Sequence, residues 1–226
     1  DSASRGLGDV YKRQSIGSEL CRQIFSQNPK KVILIDNSEI NLYNLQKQIE
    51  FFKKGSKIDF QIYLIDVSNE IALTEIFRKD KVDIIFHAAA YKHVPLVEEN
   101  PISGMQNNIS ATLAICNVSL NLEIGKVVLI SSDKAVRPTN LMGASKRVCE
   151  KIIQSFYLKS KSEKRKTIFC AVRFGNVLGS SGSVVPLFKK QIEMGGPITL
   201  THPEIIRFFM TIKEASLLVI QAIAMA

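Results

Sequence analysis

Two groups of opposite charge stand side by side, one residue after an apolar run that is typical of a buried strand. Ser132, Asp133 and Lys134 follow KVVLIS in the sequence. A carboxylic acid can protonate a leaving hydroxyl while an amine removes a carbon-bound proton, so this pair has the groups that an elimination needs. The alternative is a surface ion pair in a polar turn, which on the dipeptide alone is favoured.

Lys146 is a further candidate group, on a predicted helix over 141–159. Met142 lies four residues before it and therefore on the same helical face. Ser132 supplies a hydroxyl at a strand end, and Lys146 follows on the next helix. This arrangement is similar to that of short-chain dehydrogenases. Those enzymes usually have Tyr at the position of Met142, and the thioether cannot replace that phenol as a base.

Asp36 and Gly17 are candidates for one end of a dinucleotide site. Asp36 ends an apolar run nineteen residues after Gly17. At about this distance an acidic residue typically binds the adenosine ribose, and its charge favours NAD, with NADP as the alternative. Spacing alone equally fits a helix-capping Asp36. Gly17 would direct a helix N-terminus at the pyrophosphate, although the earlier glycines of such a turn are absent.

Residues after the next two predicted strands extend this site. Asp66 and Val67 stand where an adenine ring would lie, and Ala88, Ala89 and Ala90 follow the strand after that. Small side chains at a strand end let a ligand approach the backbone. Tight packing of a helix on the sheet is a compatible reason for the three alanines.

Apolar runs alternate with amphipathic stretches along most of the chain. The runs that predict strands cover residues 31–36, 58–65, 82–86, 126–131 and 167–172. The patterns that predict helices cover residues 38–54, 68–79, 104–122 and 141–159. Continuous apolar strands separated by helices indicate an α/β fold with a doubly wound parallel sheet, and such sheets bind ligands at the carboxyl ends of their strands.

Three regions follow from this pattern. Residues 1–14 (DSASRGLGDVYKRQ) offer neither the apolar strand nor the glycine-rich turn with which such a fold begins, so no first strand is predicted there. We expect a non-native leader, with a native disordered extension as the alternative. Residues 15–172 form the predicted dinucleotide-binding domain. Residues 173–226 form a small substrate-binding annex with a helix over 185–194 and a short strand over 197–201.

Composition indicates a globular protein with an attraction for anions. The 226 residues carry a net charge of +9. Part of the excess lies in the run 159–166 (KSKSEKRK), which we interpret as a solvated helix end and not as a nucleic-acid site, since no aromatic residues interleave. The four cysteines form no CxxC pair, which indicates buried thiols in a reducing compartment. The three histidines are too scattered to predict a metal site.

Three long blocks identify the family that the chain resembles. They are FHAAAYKHVPLVEENP (86–101), SSDKAVRPTNLMGASKR (131–147) and VRFGNVLGSSGSVVPLFKKQIEMGGPITLTHPEIIRFFMTI (172–212). They are similar to the UDP-N-acetylglucosamine 4,6-dehydratases of polysaccharide biosynthesis, which are extended short-chain dehydrogenase/reductases with a Rossmann-like fold. The resemblance runs from about residue 15 to the end of the sequence, and it reverses the preference for a surface pair.

The resemblance implies a role for each candidate residue. Asp133 would protonate the departing C6 hydroxyl and Lys134 would take the C5 proton, while Lys146 would hold the nicotinamide ribose. Ser132 replaces the more frequent Thr, and Met142 is typical of the large, membrane-anchored branch. The residues that would face the UDP-sugar are Tyr91, Lys92, His93, Asn176, Ser183 and Arg207.

Members of that branch carry transmembrane helices and a further domain before the catalytic part, so the chain resembles a fragment of such a protein. The sequence itself has no run of eighteen apolar residues that could span a bilayer. We expect a cytoplasmic location, or the cytoplasmic face of the inner membrane for the parent protein. The family likeness is compatible with a homo-oligomer.

Two other functions share this fold. A nucleotide-sugar C4 epimerase would use the same cofactor, but it needs a base for a hydroxyl and no acid–base pair for an elimination. Met142 and the Asp133–Lys134 pair therefore argue against it. A non-catalytic NAD-binding sensor would not need Asp133, Lys134 and Lys146 together.

Overall fold

The computed structural model describes residues 16–52, 57–179, 184–200 and 202–226. The expected leader over residues 1–14 and the candidate Ser183 lie outside these residues. The described strands, β1 to β7 in chain order, are Lys31–Asp36, Asp59–Leu64, Ile84–His87, Lys126–Ser132, Ile168–Phe174, Asn176–Val177 and Phe209–Met210. The described helices, α1 to α8, are Ile16–Ser26, Glu39–Phe52, Glu70–Asp80, Val94–Glu99, Pro101–Asn121, Leu141–Ser162, Val184–Glu193 and Ile212–Met225.

All ladders between the described strands are parallel, as the sequence predicts for the dinucleotide-binding part. β1 pairs with β2, and β4 lies between β3 and β5 in a second sheet. Within the described residues no strand joins β1 to β3. Since the strands are parallel, their carboxyl ends share one edge, and the segments after β3, β4 and β5 begin there.

Helices cover both faces of the sheet because alternate residues of each strand point to opposite sides. On β4, Val127 and Leu129 belong to a core cluster with residues of α3, α5 and α6. Val128 and Ile130 belong to another cluster, with Leu20 of α1 and residues of α8. This is the doubly wound arrangement of a Rossmann-like fold, and all four β4 side chains are buried.

The annex differs from the prediction in its strand. Residues 197–200 form no strand, and residue 201 lies outside the described residues. The backbone N–H of Thr199 donates instead to Oε1 of Gln191 on α7 at 3.1 Å, and the Gln191 amide donates to the Thr199 hydroxyl at 2.9 Å. The annex ladder joins β6 to β7, with Asn176 opposite Phe209.

Two helices were not predicted at all. α4 begins beside a proline and has only six residues, too few to show a helical period. α8 begins with a capping box, in which Thr211 and Glu214 satisfy each other's backbone N–H groups. Its buried residues Ala215 and Val219 pack beside α1. Together with α1, α8 covers the second face of the sheet at β4.

The burial of the basic run and of the cysteines can be compared with the predictions. The lysines of the run 159–166 are exposed at the C-terminal end of α6, where they complement the helix dipole. Three of the cysteines are buried, but Cys170 on the edge strand β5 is only partly so.

None of the described helices is both long and apolar enough to cross a membrane. The described residues hold no cluster of three metal-ligating side chains.

Candidate active site

The Asp133–Lys134 pair lies in a single 3-10 turn directly after β4. The Lys134 amine is 3.4 Å from Oδ1 of Asp133 and donates to Oδ1 of Asn176 at 3.3 Å. The side chains of Asp133 and Lys134 are 49% and 38% exposed, which an ordinary surface ion pair would also show. The contact with Asn176 distinguishes this pair, because it joins the segments that follow β4 and β5.

Ser132 fixes the backbone of this turn. Its hydroxyl accepts from the backbone N–H of Lys134 at 3.2 Å and donates to Oδ1 of Asp133 at 2.9 Å. A hydroxyl at this position caps the turn in the same way as an N-cap residue caps a helix. The predicted hydroxyl at the strand end therefore holds the acidic side chain in place.

Gly143 lets the first turn of α6 lie against the Asp133–Lys134 turn. A Cβ on Gly143 would be 2.5 Å from the backbone oxygen of Lys134. The backbone N–H of Gly143 donates to Oδ1 of the N-cap residue Asn140 at 2.8 Å, and this bond fixes the first turn of α6.

We expect Gly143→Ala to displace Lys134, since the added methyl collides with backbone and not with a movable side chain. The overpacking should lower the free energy of unfolding by about 1–3 kcal/mol. Chemical denaturation measures the loss. Gly179→Ala tests the reasoning, because a Cβ there meets nothing within 4 Å and only its positive φ opposes the change. A Gly143→Ala variant that keeps the unfolding free energy of wild type would contradict the close approach.

Lys146 and Met142 occupy the inner face of α6, as their spacing predicts. The Lys146 amine is buried and donates to the backbone oxygen of Ile130 at 3.0 Å, near the carboxyl end of β4. Burial lowers the pKa of this amine, although the neighbouring Cys149 and Glu150 oppose the shift. Met142 is only 3% exposed. A thioether at this position offers no proton and no basic group.

The buried side-chain amide of Asn108 holds the loop after β3 through hydrogen bonds. Oδ1 of Asn108 on α5 accepts from the backbone N–H of Tyr91 at 2.7 Å, and its Nδ2 donates to the Tyr91 oxygen at 3.1 Å. The same Nδ2 donates to the hydroxyl of Ser145 on α6 at 2.9 Å. Tyr91, Lys92 and His93 are exposed on this fixed loop, and partial burial of the Lys92 amine lowers its pKa.

The annex brings two of the predicted substrate residues onto adjoining backbone. Asn176 begins β6, and its N–H donates to the backbone oxygen of Phe208, the residue after Arg207. Arg207 is exposed and its guanidinium donates only to the oxygen of Ile206 among the described hydrogen bonds. Gly175 lies between the annex and the acid, since its Cβ would be 3.4 Å from Phe208 and 3.8 Å from Oδ2 of Asp133.

The candidate cofactor residues lie at the carboxyl ends of β1, β2 and β3. Oδ1 of Asp36 accepts from the N–H of Ser38 at 2.8 Å, which is a turn contact before α2, and Oδ2 accepts from the Asn41 amide at 3.5 Å. The Ser38 hydroxyl accepts from the N–H of Asn41 at 3.4 Å, so Ser38 and not Asp36 lies at the N-cap position of α2. Asp66 makes the same turn contact with Ser68 at 2.8 Å and is exposed, whereas Val67 packs on the core.

These residues fit a dinucleotide. Ala88 and Ala89 are exposed after the buried His87 and leave the strand end open, while Ala90 is partly buried. Gly17 lies in the first turn of α1. The second oxygen of Asp36 can accept a further hydrogen bond.

Glu150 is a residue of this region that the sequence analysis missed. It is 8% exposed and accepts from the Ser131 hydroxyl at 2.6 Å and from Nε and Nη2 of Arg173 at 2.7 and 2.6 Å. Arg147 adds a contact at 3.1 Å. Its position four residues after Lys146, on the same helical face, was the available signal.

The Glu150 network predicts an acid-dependent part of the stability. Burial alone would raise the pKa of this carboxyl, but hydrogen bonds from Arg173, Ser131 and Arg147 outweigh it and lower the pKa from 4.5 to about 2. A carboxyl with a lowered folded pKa stabilises the fold fully above its unfolded pKa, and this contribution is lost as the pH falls towards the folded value.

We therefore expect the difference in unfolding free energy between wild type and Glu150→Gln to be constant above about pH 5 and to shrink between about pH 4.5 and pH 2. Urea denaturation at several pH values measures it. A difference that grows as the solution becomes more acidic would contradict the proposed pairing.

Comparisons with known proteins agree with this architecture. A family model described as polysaccharide biosynthesis protein matches residues 13–226. Over 212 residues the chain is 49% identical to the capsular polysaccharide biosynthesis protein CapD of Staphylococcus aureus, and 47% identical to the probable polysaccharide biosynthesis protein EpsC of Bacillus subtilis. These matches cover 94% of this chain but 35% and 34% of the two proteins, so the chain spans about a third of their length.

Other similar proteins include enzymes of known activity and solved structures. The UDP-glucose 4-epimerase of Rickettsia akari is 35% identical over 201 residues, which are 88% of this chain and 58% of that protein. Among solved structures, Pen from Bacillus thuringiensis matches with a TM-score of 0.85 and 34% identity, over 93% of this chain and 64% of that one. The dTDP-glucose 4,6-dehydratase DesIV from Streptomyces venezuelae, at 18% identity and a TM-score of 0.78 over 92% of this chain and 69% of that one, shares the fold.

Proposed function

Since this chain belongs to the polysaccharide biosynthesis protein family, we propose that it is most of the catalytic domain of a UDP-N-acetylglucosamine 4,6-dehydratase that uses NAD. The product would be a UDP-linked 4-keto-6-deoxy sugar for a surface polysaccharide or glycan. The observation that carries this proposal is the acid–amine pair after β4, whose amine contacts Asn176 of the annex at 3.3 Å. An elimination needs an acid and a base that both face the substrate.

The cofactor would lie along the carboxyl ends of the strands. Asp36 would accept from the adenosine ribose, Asp66 and Val67 would border the adenine, and Ala88 to Ala90 would leave room for the dinucleotide backbone. The first turn of α1 with Gly17 would face the pyrophosphate. Lys146 would hold the nicotinamide ribose, because its buried amine has further donor protons beyond the one given to Ile130. When bound, the cofactor would supply hydride transfer, first from C4 of the sugar and then to C6.

The substrate would lie between the fixed loop after β3 and the annex. Arg207 would bind the diphosphate, because a guanidinium forms two parallel hydrogen bonds with such an anion. Asn176 would complete this side, and Tyr91, Lys92 and His93 would face the sugar. Ser183 stays a substrate candidate from the sequence alone. The net charge of +9 favours the approach of a nucleotide diphosphate.

The Asp133–Lys134 pair performs the elimination in this proposal. The 4-keto group acidifies the C5–H bond, and the Lys134 amine takes that proton. The electron pair forms the C5–C6 double bond while the C6 hydroxyl leaves as water with a proton from Asp133. As C6 is reduced, Lys134 returns its proton to C5. During the oxidation at C4 the hydroxyl would lose its proton to the Asp133 carboxylate, and Asp133 would then give this proton to the departing C6 hydroxyl, so the protons balance.

A nucleotide-sugar 4-epimerase is the second candidate, and the name of the Rickettsia relative favours it. An epimerase inverts the configuration at one carbon. Both candidates oxidise C4 and must remove the proton of its hydroxyl, so Met142, buried at the position of the usual phenol, does not decide between them. An epimerase has no use for an acid and an amine at C5 and C6, which is why we prefer the dehydratase.

The mass of the product separates these functions. Incubation of the full-length protein with UDP-N-acetylglucosamine, without added oxidant, should give a nucleotide sugar that is lighter by one water. An epimer of unchanged mass would overturn the dehydratase in favour of the second candidate. Bound NAD without any product would indicate a non-catalytic sensor.

A further inference from the structure

One carboxylate on α6 holds the ends of the two strands that lead into the candidate active site. Glu150 accepts from the Ser131 hydroxyl at 2.6 Å and from two nitrogens of Arg173 at 2.7 and 2.6 Å. Ser131 on β4 and Arg173 on β5 are register partners in the parallel ladder. Glu150 therefore bonds both members of one cross-strand pair at the same time.

We propose that Glu150 is a positioning residue, which locks the ends of β4 and β5 so that the Lys134 amine and the Asn176 amide meet. Lys134 comes three residues after Ser131, and Asn176 comes three residues after Arg173. Their contact at 3.3 Å joins the two segments directly beyond the clamped pair. The inference rests on the proposed role of Lys134 as the base in the dehydration.

The same helix also fixes the third group of the site. Lys146 precedes Glu150 by one helical turn, so both side chains lie on one face of α6. The Lys146 amine bonds the Ile130 oxygen at 3.0 Å, one residue before the Ser131 contact. Two adjacent residues of β4 are thus bound to α6, which sets the position of the strand end relative to the lysine.

A carboxylate suits this position because every partner donates. Arg173 presents two N–H groups in a fixed fork, and the Ser131 hydroxyl and Arg147 supply further donors. Without Glu150 a hydroxyl and a guanidinium would lose their common acceptor. Among the described hydrogen bonds, the backbone ladder alone would then join the paired ends of β4 and β5. Small shifts of reacting groups are costly in rate, about a hundredfold for 1 Å.

Asp80 offers a matched control beside the other sheet, at the amino end of β1. Its carboxylate is also buried, with 3% of the side chain exposed, and it accepts from the Lys31 amine at 2.7 Å and the Tyr63 hydroxyl at 3.0 Å. Lys31 begins β1, so this pair lies at the amino end of its strand, whereas the Asp133–Lys134 turn follows the carboxyl end of β4. Its loss should affect stability alone.

The experiment compares Glu150→Ala, Glu150→Gln and Asp80→Asn with wild type in the full-length protein. For each we measure Tm, kcat and KM with UDP-N-acetylglucosamine, and the rate at which an acylating reagent modifies Lys134, followed by mass spectrometry. We expect Glu150→Ala to lower kcat by about a hundredfold with little change in KM, and to change the labelling rate of Lys134 severalfold. Glu150→Gln, which keeps an acceptor for Ser131, should recover part of both.

Asp80→Asn should lower Tm while kcat and Lys134 labelling stay at their wild-type values. If the Glu150 variants match it in both readouts, Glu150 is a structural residue only and the proposal is overturned. Should Glu150→Ala not fold, the Gln variant decides alone. If wild type leaves UDP-N-acetylglucosamine unchanged, the proposed function fails, whereas the labelling of Lys134 still judges the positioning by Glu150.

Discussion

Replacement of Asp133 by Asn should lower kcat for the dehydration of UDP-N-acetylglucosamine by about a hundred- to ten-thousandfold, the usual contribution of a general acid. The amide keeps the shape of the carboxyl and can still accept from the Ser132 hydroxyl, which donates at 2.9 Å in the wild type. It cannot give a proton to the departing C6 hydroxyl. Substrate binding depends on other residues, so KM should change little.

A carboxylate in an equally exposed ion pair provides the control. Glu123 accepts from Arg165 at 3.2 Å, and their side chains are 46% and 41% exposed. Glu123→Gln should leave kcat at the wild-type value. If Asp133→Asn retains kcat within about threefold, which is far less than a general acid contributes, the proton must come from another group and the assignment of Asp133 is wrong.

Replacement of Lys146 by Met should remove most of the activity together with the bound cofactor. Met has a similar length and tolerates burial, so the packing around α6 is largely kept. The bond to the Ile130 oxygen at 3.0 Å and the proposed contact with the nicotinamide ribose are both lost. We expect kcat to fall by roughly a hundredfold or more, since the reacting carbon is no longer held in place.

Two measurements test this second result: the NAD content of the purified protein and its kcat with NAD added in excess. Lys151→Met is the matched control, because Lys151 is exposed on the same helix and donates only to Gln154 at 3.1 Å among the described hydrogen bonds. A Lys146→Met variant that keeps both its cofactor and its rate would contradict the assignment.

Hydrophobic pattern alone predicted most of the dinucleotide-binding part. Buried parallel strands have apolar residues on both faces, so β1 and β4 stand out in the sequence as KVILID and KVVLIS. Because ligands bind beyond the carboxyl ends of such strands, the same pattern directed attention to Asp133 and Lys134.

The annex was predicted less well, for a physical reason. Its strands β6 and β7 have two residues each, too short for any period to show. The expected strand over 197–201 was wrong, since side-chain bonds from Gln191 hold Thr199 in place of a ladder partner. Contacts between residues far apart in the chain decide these segments.

The supporting residues of the site escaped prediction for a related reason. Glu150 and Asn108 act through bonds to Arg173 and Tyr91, which are 23 and 17 residues away in the chain. Nothing in the spacing of such residues reveals which backbone or side chain they will reach. The candidate reacting groups were easier to find, because they follow strands that the pattern already marks.

The path of one hydrogen atom tests the central claim most directly. UDP-N-acetylglucosamine that carries deuterium at C4 is incubated with the full-length protein, and the product is analysed by mass spectrometry and NMR. Our account predicts a product that has lost one water and carries the deuterium at C6. A product of unchanged composition with its deuterium still at C4, as an epimerase would give, would contradict it.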